Sequence, residues 1–217
     1  MQEKDTVRVE AFSDGVFAIA MTLLILEIKV PHPPPGAAGD GWWLVRSLLH
    51  LWPSFVAFVL SFGTILVMWV NHHGLFRHAH RVNNRLLFSN GFLLLLVTFV
   101  PFPTAVLAEY LDRPAANAAA TFYCATYLLI GVSYNLLLGA VRSSRSPGAV
   151  RSPAYEAAAR RVRRAYRGGL VVFLAATLVA AFNAFAGLAI CLSLWVLWAR
   201  LNYSPGHEST ADGGVAL

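Results

Sequence analysis

RVEAFSDGVFAIAMTLLILEIKV, from Arg8 to Val30, is the stretch on which the reading of this 217-residue chain turns. Twelve uncharged residues separate Asp14 from Glu27, about 18 Å as an α-helix and well short of a hydrocarbon core about 30 Å thick. At least one of the two carboxylates is therefore drawn toward the membrane, where an ionised group faces protein or a water-filled cavity in preference to lipid. That predicts a first helix sheltered by its neighbours and central in the fold. A competing reading puts the two acids at the two headgroup levels of a tilted helix or a thinned bilayer. A cleavable secretory signal is a further reading, with Gly15 to Leu26 as its apolar run and Ala37 and Ala38 at the cleavage site. Glu3, Asp5, Glu10 and Asp14 before the run, and Glu27, Lys29 and a triple proline after it, argue against it.

Outward from this stretch the chain reads as a membrane protein. Only 13% of residues are charged and 57% are hydrophobic, against about 25% charged in an ordinary soluble domain. Uncharged runs cover Ser47 to Phe76, Leu86 to Ala108, Pro114 to Val141 and Gly168 to Ala199. In hydrocarbon each has to be helical, so that the backbone satisfies its own hydrogen bonds. The last run would reach about 48 Å as one helix. Arg167 and Arg200 flank it, so it reads as a hairpin turning near Asn183 to Gly187 with both ends on one side.

The expected fold is all-α, with six transmembrane helices at about 8–30, 48–72, 86–108, 115–141, 168–183 and 187–201. They form a single six-helix transmembrane domain over 1–203, and the small polar tail 204–217 reads as disordered. Lys4, Arg8, Arg77, Arg81, Arg85, Arg142, Arg145, Arg151, Arg160, Arg161, Arg163, Arg164, Arg167 and Arg200 then share one side, leaving Lys29, Arg46 and Arg113 on the other. By the positive-inside rule both termini are cytoplasmic. The net charge of +6 thus marks orientation and not nucleic acid. Cys124 and Cys191 lie inside apolar runs without CxxC spacing, so neither a disulfide framework nor a zinc site is indicated.

Within the first helix Ile19, Leu23, Leu26 and Val30 recur at i, i+4, i+7 and i+11, with Thr22 beside Leu23, on one continuous face. Identical helices turned inward about an axis would stack these side chains as narrow apolar rings about 4.5 to 6 Å apart, able to gate by dewetting. The commoner meaning of such a stripe is ordinary helix packing.

Arg8, Phe12, Ser13 and Asp14, with the apolar continuation through Ile19, Thr22, Leu23 and Leu26, closely resemble the RxxxFSD first-helix signature of the prokaryotic relatives of transmembrane protein 175, the endolysosomal potassium channel family. The W-x-N-H-H stretch (Trp69, Asn71, His72, His73) and the basic loop after the fourth span are compatible with the same family. What the resemblance implies is a homotetramer in a prokaryotic plasma membrane, with six helices per subunit and a pore on the four-fold axis lined by the first helix. It implies permeant potassium ions, no cofactor and no TVGYG filter. The implied constriction falls on Ile19, Leu23 and Leu26, with Thr22 adding a hydroxyl. A greasy passage would favour potassium over sodium because potassium is the less costly ion to dehydrate, a contrast with carbonyl cages.

Arg8, Ser13 and Asp14 supply donors and acceptors near the cytoplasmic end of the first helix, at the depth where Trp69, Asn71, His72 and His73 end the second span. The expectation is a hydrogen-bond network joining the two. Histidines 72, 73, 78 and 80 also suggest a membrane di-iron enzyme. The remaining His32, His50 and His207 are too few to complete two metal shells, and nucleophile, P-loop and GxGxxG motifs are absent, so no enzymatic activity is expected. After Ser152-Pro153, Arg160, Arg163, Arg164 and Arg167 crowd one face of a short basic helix, which reads either as a contact for anionic headgroups or as a loop that sets topology without a specific ligand. The rival functions are a proton-coupled secondary carrier relaying protons through Asp14 and nearby histidines, and a membrane scaffold whose stripe only packs.

Overall fold

The computed structural model describes residues 2–36, 39–77, 79, 81–144 and 153–199. Among them every regular element is helical: α1 (Gln2–Leu23), a 3₁₀ turn over Leu24–Glu27, α2 (Gly41–His50), α3 (Trp52–Phe76), α4 (Asn84–Phe99), α5 (Pro101–Tyr110), α6 (Ala116–Ser143), α7 (Pro153–Ala180) and α8 (Ala184–Ala199). Four helical stretches, Thr6–Glu27, Trp52–Phe76, Asn84–Tyr110 and Ala116–Ser143, are long and apolar enough to cross a membrane. The tail over 204–217, His78 and His80 lie outside the described residues.

Where the boundaries differ from the sequence reading, local chemistry supplies the reason. The run expected to open the second span at residue 48 instead ends a separate amphipathic helix. Asp40 caps that helix by accepting from Trp43 N at 2.7 Å, and Pro53 starts α3 after Leu51. The third span is two helices in line, because Pro101 has no N–H to continue the ladder of α4. Thr104 Oγ1 returns to the Val100 carbonyl at 2.8 Å across that joint. The basic segment is no short surface helix. From Pro153 it runs unbroken into the apolar turns ending at Ala180.

The last two helices turn back on one another over Ala181 to Asn183, earlier than expected. Asn117 on α6 fixes this turn, donating to the Phe182 carbonyl at 3.1 Å and accepting from Ala184 N at 2.9 Å. Asn183 caps α8 by accepting from Ala186 N at 3.0 Å. Gly187 is not a turn residue but a packing residue inside α8. A Cβ there would lie 2.5 Å from Ala180 Cβ and 2.7 Å from its Cα.

The core joins α6 to α7, α8 and α4, and α3 to α5 and α1. Its centre is polar. Ser61 Oγ on α3 lies 2.7 Å from Thr104 Oγ1 on α5 and 3.0 Å from Tyr123 Oη on α6, and Tyr123 donates to Tyr127 at 3.4 Å. Helices in lipid gain no hydrophobic drive from touching one another, so such bonds and close small-residue contacts hold the bundle together.

Gly187→Ala should strain the α7–α8 backbone contact and destabilise the protein by about 1–3 kcal/mol. Gly91→Ala, whose Cβ would meet nothing within 4 Å, should be nearly neutral. Thermal unfolding in detergent, followed by a thiol-reactive dye or by loss of monodisperse protein, checks both; equal melting temperatures for the two variants would refute the packing role.

Candidate functional site

The first helix has two unlike faces. Ser13, Phe17, Ala20 and Leu24, spaced i, i+4, i+7 and i+11, are buried against the rest of the protomer. On the opposite side Ile19 is 59% exposed, Leu23 40% and Leu26 61%, with Phe12 at 67%. Thr22 shares this side, its hydroxyl returned to the Ile19 carbonyl at 2.9 Å. Leu26 lies in the 3₁₀ turn, where the tighter winding carries it slightly off the α-helical stripe. Lys29 Nζ donates to the Leu26 carbonyl at 2.7 Å, and Val30 follows beyond the helical turns.

Polar contacts on the buried side set the rotation of α1. His72 on α3 is fully buried, and its Nε2 lies 2.9 Å from Asn90 Oδ1 on α4. Asn90 Nδ2 donates to Ser13 Oγ at 2.9 Å, and Ser13 donates to the Val9 carbonyl at 2.8 Å. With the Asn90 amide facing this way, its oxygen needs a donor, so the assigned arrangement has His72 protonated at Nε2. The His72 ring is held between Phe17, at 5.3 Å centroid to centroid, and Phe76, at 4.4 Å.

Two further contacts flank this relay. Trp69 Nε1 donates to Asp14 Oδ1 at 2.8 Å, and His73 Nδ1 lies 2.6 Å from Glu10 Oε1. The spacing explains why they form together. Glu10, Ser13 and Asp14 stand at i, i+3 and i+4 on α1, and Trp69, His72 and His73 repeat the same spacing on α3, so each triplet occupies one face of its helix. Glu10 meets His73 and Asp14 meets Trp69, the pairing of two antiparallel helices.

The structure brings Ser13, Asp14, Trp69, His72 and His73 together but leaves three of the motif residues elsewhere. Asn71 points away from α1 and donates to the Val67 carbonyl of its own helix at 2.7 Å. Arg8 and Phe12 lie on the exposed side, lining an open groove of about 570 Å³ between α1 and α4. Two members of the clamp, Glu10 and Asn90, were not anticipated. Asn90 carried a signal, because an amide placed next to FLLLL must find a partner inside the bundle. Glu10 stands one turn before Asp14, and that i, i−4 relation was its only mark.

Residues 8–101 match the profile of a family described as endosomal/lysosomal potassium channel TMEM175. Over 199 residues the chain is 44% identical to a Chamaesiphon minutus protein named as a potassium channel, covering 91% of this chain and 95% of that one. It is 36% identical over 110 residues to the human endosomal/lysosomal proton channel TMEM175, covering 49% of this chain and 22% of that protein. The crystal structure of a lysosomal potassium-selective channel TMEM175 homolog from Chamaesiphon minutus superposes with a TM-score of 0.79 at 42% identity, over 90% of this chain and 97% of the other.

Asn90→Ala should leave both Ser13 and His72 short of a buried partner and cost about 1–3 kcal/mol. Combining it with Ser13→Ala should cost less than the sum of the two single changes, by roughly 0.5 kcal/mol or more. A double-mutant cycle of detergent-solubilised protein reads this directly, and strict additivity would show that the relay does not act as a unit.

Proposed function

The chain belongs to the TMEM175 family of ion channels, and we propose that it forms a potassium-preferring cation channel from four copies arranged about a central pore. Six helices of each subunit cross the membrane, with both termini in the cytoplasm of a prokaryotic cell and the pore lined by α1. Ile19, Leu23 and Leu26 form its apolar constriction, and Thr22 offers a hydroxyl beside the middle ring. The observation that carries this reading is the division of α1: Glu10, Ser13 and Asp14 are engaged inside the protomer, and the stripe of Ile19, Leu23 and Leu26 is turned outward. Buried Ser13 and half-buried Asp14 stabilise that division.

A constriction of this kind sorts ions by how much hydration they must shed. Three apolar rings, each of four side chains, offer no oxygens of their own to replace lost water, so passage favours the cation that is cheaper to strip. Hydrophobic constrictions also close by dewetting when slightly narrowed. The exposed Arg160, Arg164 and Arg167 and the half-buried Arg163 of α7 are proposed to meet anionic headgroups, each contributing about 1 kcal/mol near the surface.

The proton-coupled carrier is the second reading, and the name of the human relative speaks for proton passage. Against it stands geometry: Asp14 lies opposite the Ile19–Leu26 stripe and accepts from Trp69, so a proton relay along the stripe would have to bypass it.

Purified protein in planar bilayers should give unitary currents, and the reversal potential with potassium against sodium should lie on the potassium-selective side. Ile19→Ala or Leu23→Ala should widen the constriction and move that reversal potential toward zero. An absence of unitary events, with flux abolished by Asp14→Asn, would support the carrier instead.

A further inference from the structure

A cavity of about 40 Å³ lies within the protomer between α3, α6, α7 and α8, on the side of α3 away from the polar clamp. Thr64, Met68, Tyr127, Tyr166, Phe173 and Trp195 form much of its wall. Polar side chains of its wall bond to protein atoms, Asn71 to the Val67 carbonyl among them. Thr64 donates to the Leu60 carbonyl at 2.7 Å, and Trp195 Nε1 donates to Thr64 Oγ1 at 2.9 Å. Tyr134 donates to the Met68 carbonyl at 2.6 Å, and Tyr127 bonds Tyr123. By volume the space would take two or three waters at about 15 Å³ each, yet a buried water wants two to four polar partners, and an apolar cavity stays dry and takes hydrocarbon. It is well below the ~150 Å³ that admits a benzene ring, so a guest enters as a segment of chain. Val67 on α3, Gly131 on α6 and Trp195 on α8 line it and are half-buried.

The wall adjoins the basic turns of α7. Tyr166 and Gly169 face the cavity, Arg163 stands one turn before Tyr166, and Arg167 follows it directly in sequence. We propose that this is a binding site for one anionic phospholipid, its headgroup phosphate on Arg163 and Arg167 and a segment of one acyl chain in the cavity beneath. This rests on reading the α7 arginines as a headgroup site and adds the apolar half that gives that site specificity. Arginine suits the phosphate because its planar fork pairs two oxygens at once. Burying even a few methylenes in a preformed dry pocket adds affinity that a purely electrostatic contact lacks.

The test uses the full chain in lipid nanodiscs with a trace of phosphatidylglycerol carrying a diazirine on an acyl chain, irradiated and mapped by peptide mass spectrometry. Parallel samples carry the same chain on phosphatidylcholine, or a free diazirine alkane. Adducts should appear on Tyr166, Phe173 or Trp195 with phosphatidylglycerol, in excess over phosphatidylcholine. Exposed Leu174 and Leu178 on α7 report general lipid contact and should label equally with both. Cys191→Phe fills the cavity from α8 and should lower the wall adducts about fivefold or more relative to Leu174 and Leu178, the effect of excluding one or two buried methylenes. Val67→Trp, which adds bulk to the wall from α3, should do the same if Cys191→Phe fails to fold. Arg163→Gln should bring phosphatidylglycerol down to the phosphatidylcholine level. Wall labelling that is absent, indifferent to filling, or seen with the free alkane alone overturns the proposal. Equal wall labelling by the two lipids removes its headgroup half, and with it the site as stated, while leaving the channel reading untouched.

Discussion

An amide buried among leucines has to find partners, and Asn90 finds them on two other helices. Its oxygen takes His72 of α3 and its nitrogen takes Ser13 of α1. In hydrocarbon, apolar side chains do not choose between a neighbouring helix and a lipid tail, because both are equally greasy. Polar atoms do choose, since an unmade bond costs several kcal/mol where no water can substitute. The rotation of α1 about its axis is therefore set by Ser13, Asp14 and Glu10 and not by its many Ile, Leu and Val residues. A turn of one residue position, about 100°, would carry Ser13 off Asn90 and Asp14 off Trp69 together.

The same rule orders the rest of the bundle. Ser61, Thr104, Tyr123 and Tyr127 join α3, α5 and α6 by hydroxyl contacts, and Asn117 ties the α7–α8 turn to α6 through two backbone groups. Close approach of the helices adds to these bonds. The Trp195 ring lies over Gly63 where any Cβ would collide, and Gly187 meets the backbone of α7. Each contact is local, yet together they leave one broad apolar face of α1 unpartnered within the protomer.

Much of this was legible in the chain. The charge count pointed away from a soluble fold, and Ser13 and Asp14 on the first span and Trp69, His72 and His73 on the second pointed to their union; within one protomer, though, the first span is the least buried of the four. Boundaries were harder. Hydropathy does not see Pro101 as a joint, because proline in an apolar run keeps the run apolar while breaking its hydrogen-bond ladder. It likewise cannot separate α2 from α3, since both are apolar and only Pro53 marks the division. Asn71 shows the opposite limit: its neighbours Trp69, His72 and His73 reach the α1–α4 side, but one residue of rotation turns Asn71 to the cavity side of α3. Membership of a motif in sequence does not fix the face on which each member stands.

For the proposed pore, bracing matters as much as the side chains at the constriction. A ring of apolar groups separates potassium from sodium through the water each must lose, and that cost changes steeply with radius, so the ring can discriminate only if its helices hold position to within a fraction of an ångström. Leucine side chains in contact with one another give little such precision. The precision has to come from behind, where α1 is clamped to α3 and α4 over the turns from Glu10 to Asp14 and seated through Phe17, Ala20 and Leu24 as far as the 3₁₀ turn. Ile19 and Leu23 lie within that seated length. Leu26 sits at its end, where the winding changes and Lys29 bonds the Leu26 carbonyl. In the proposed pore Ile19 and Leu23 would thus be braced from directly behind, with Leu26 at the end of the seated length where the winding changes.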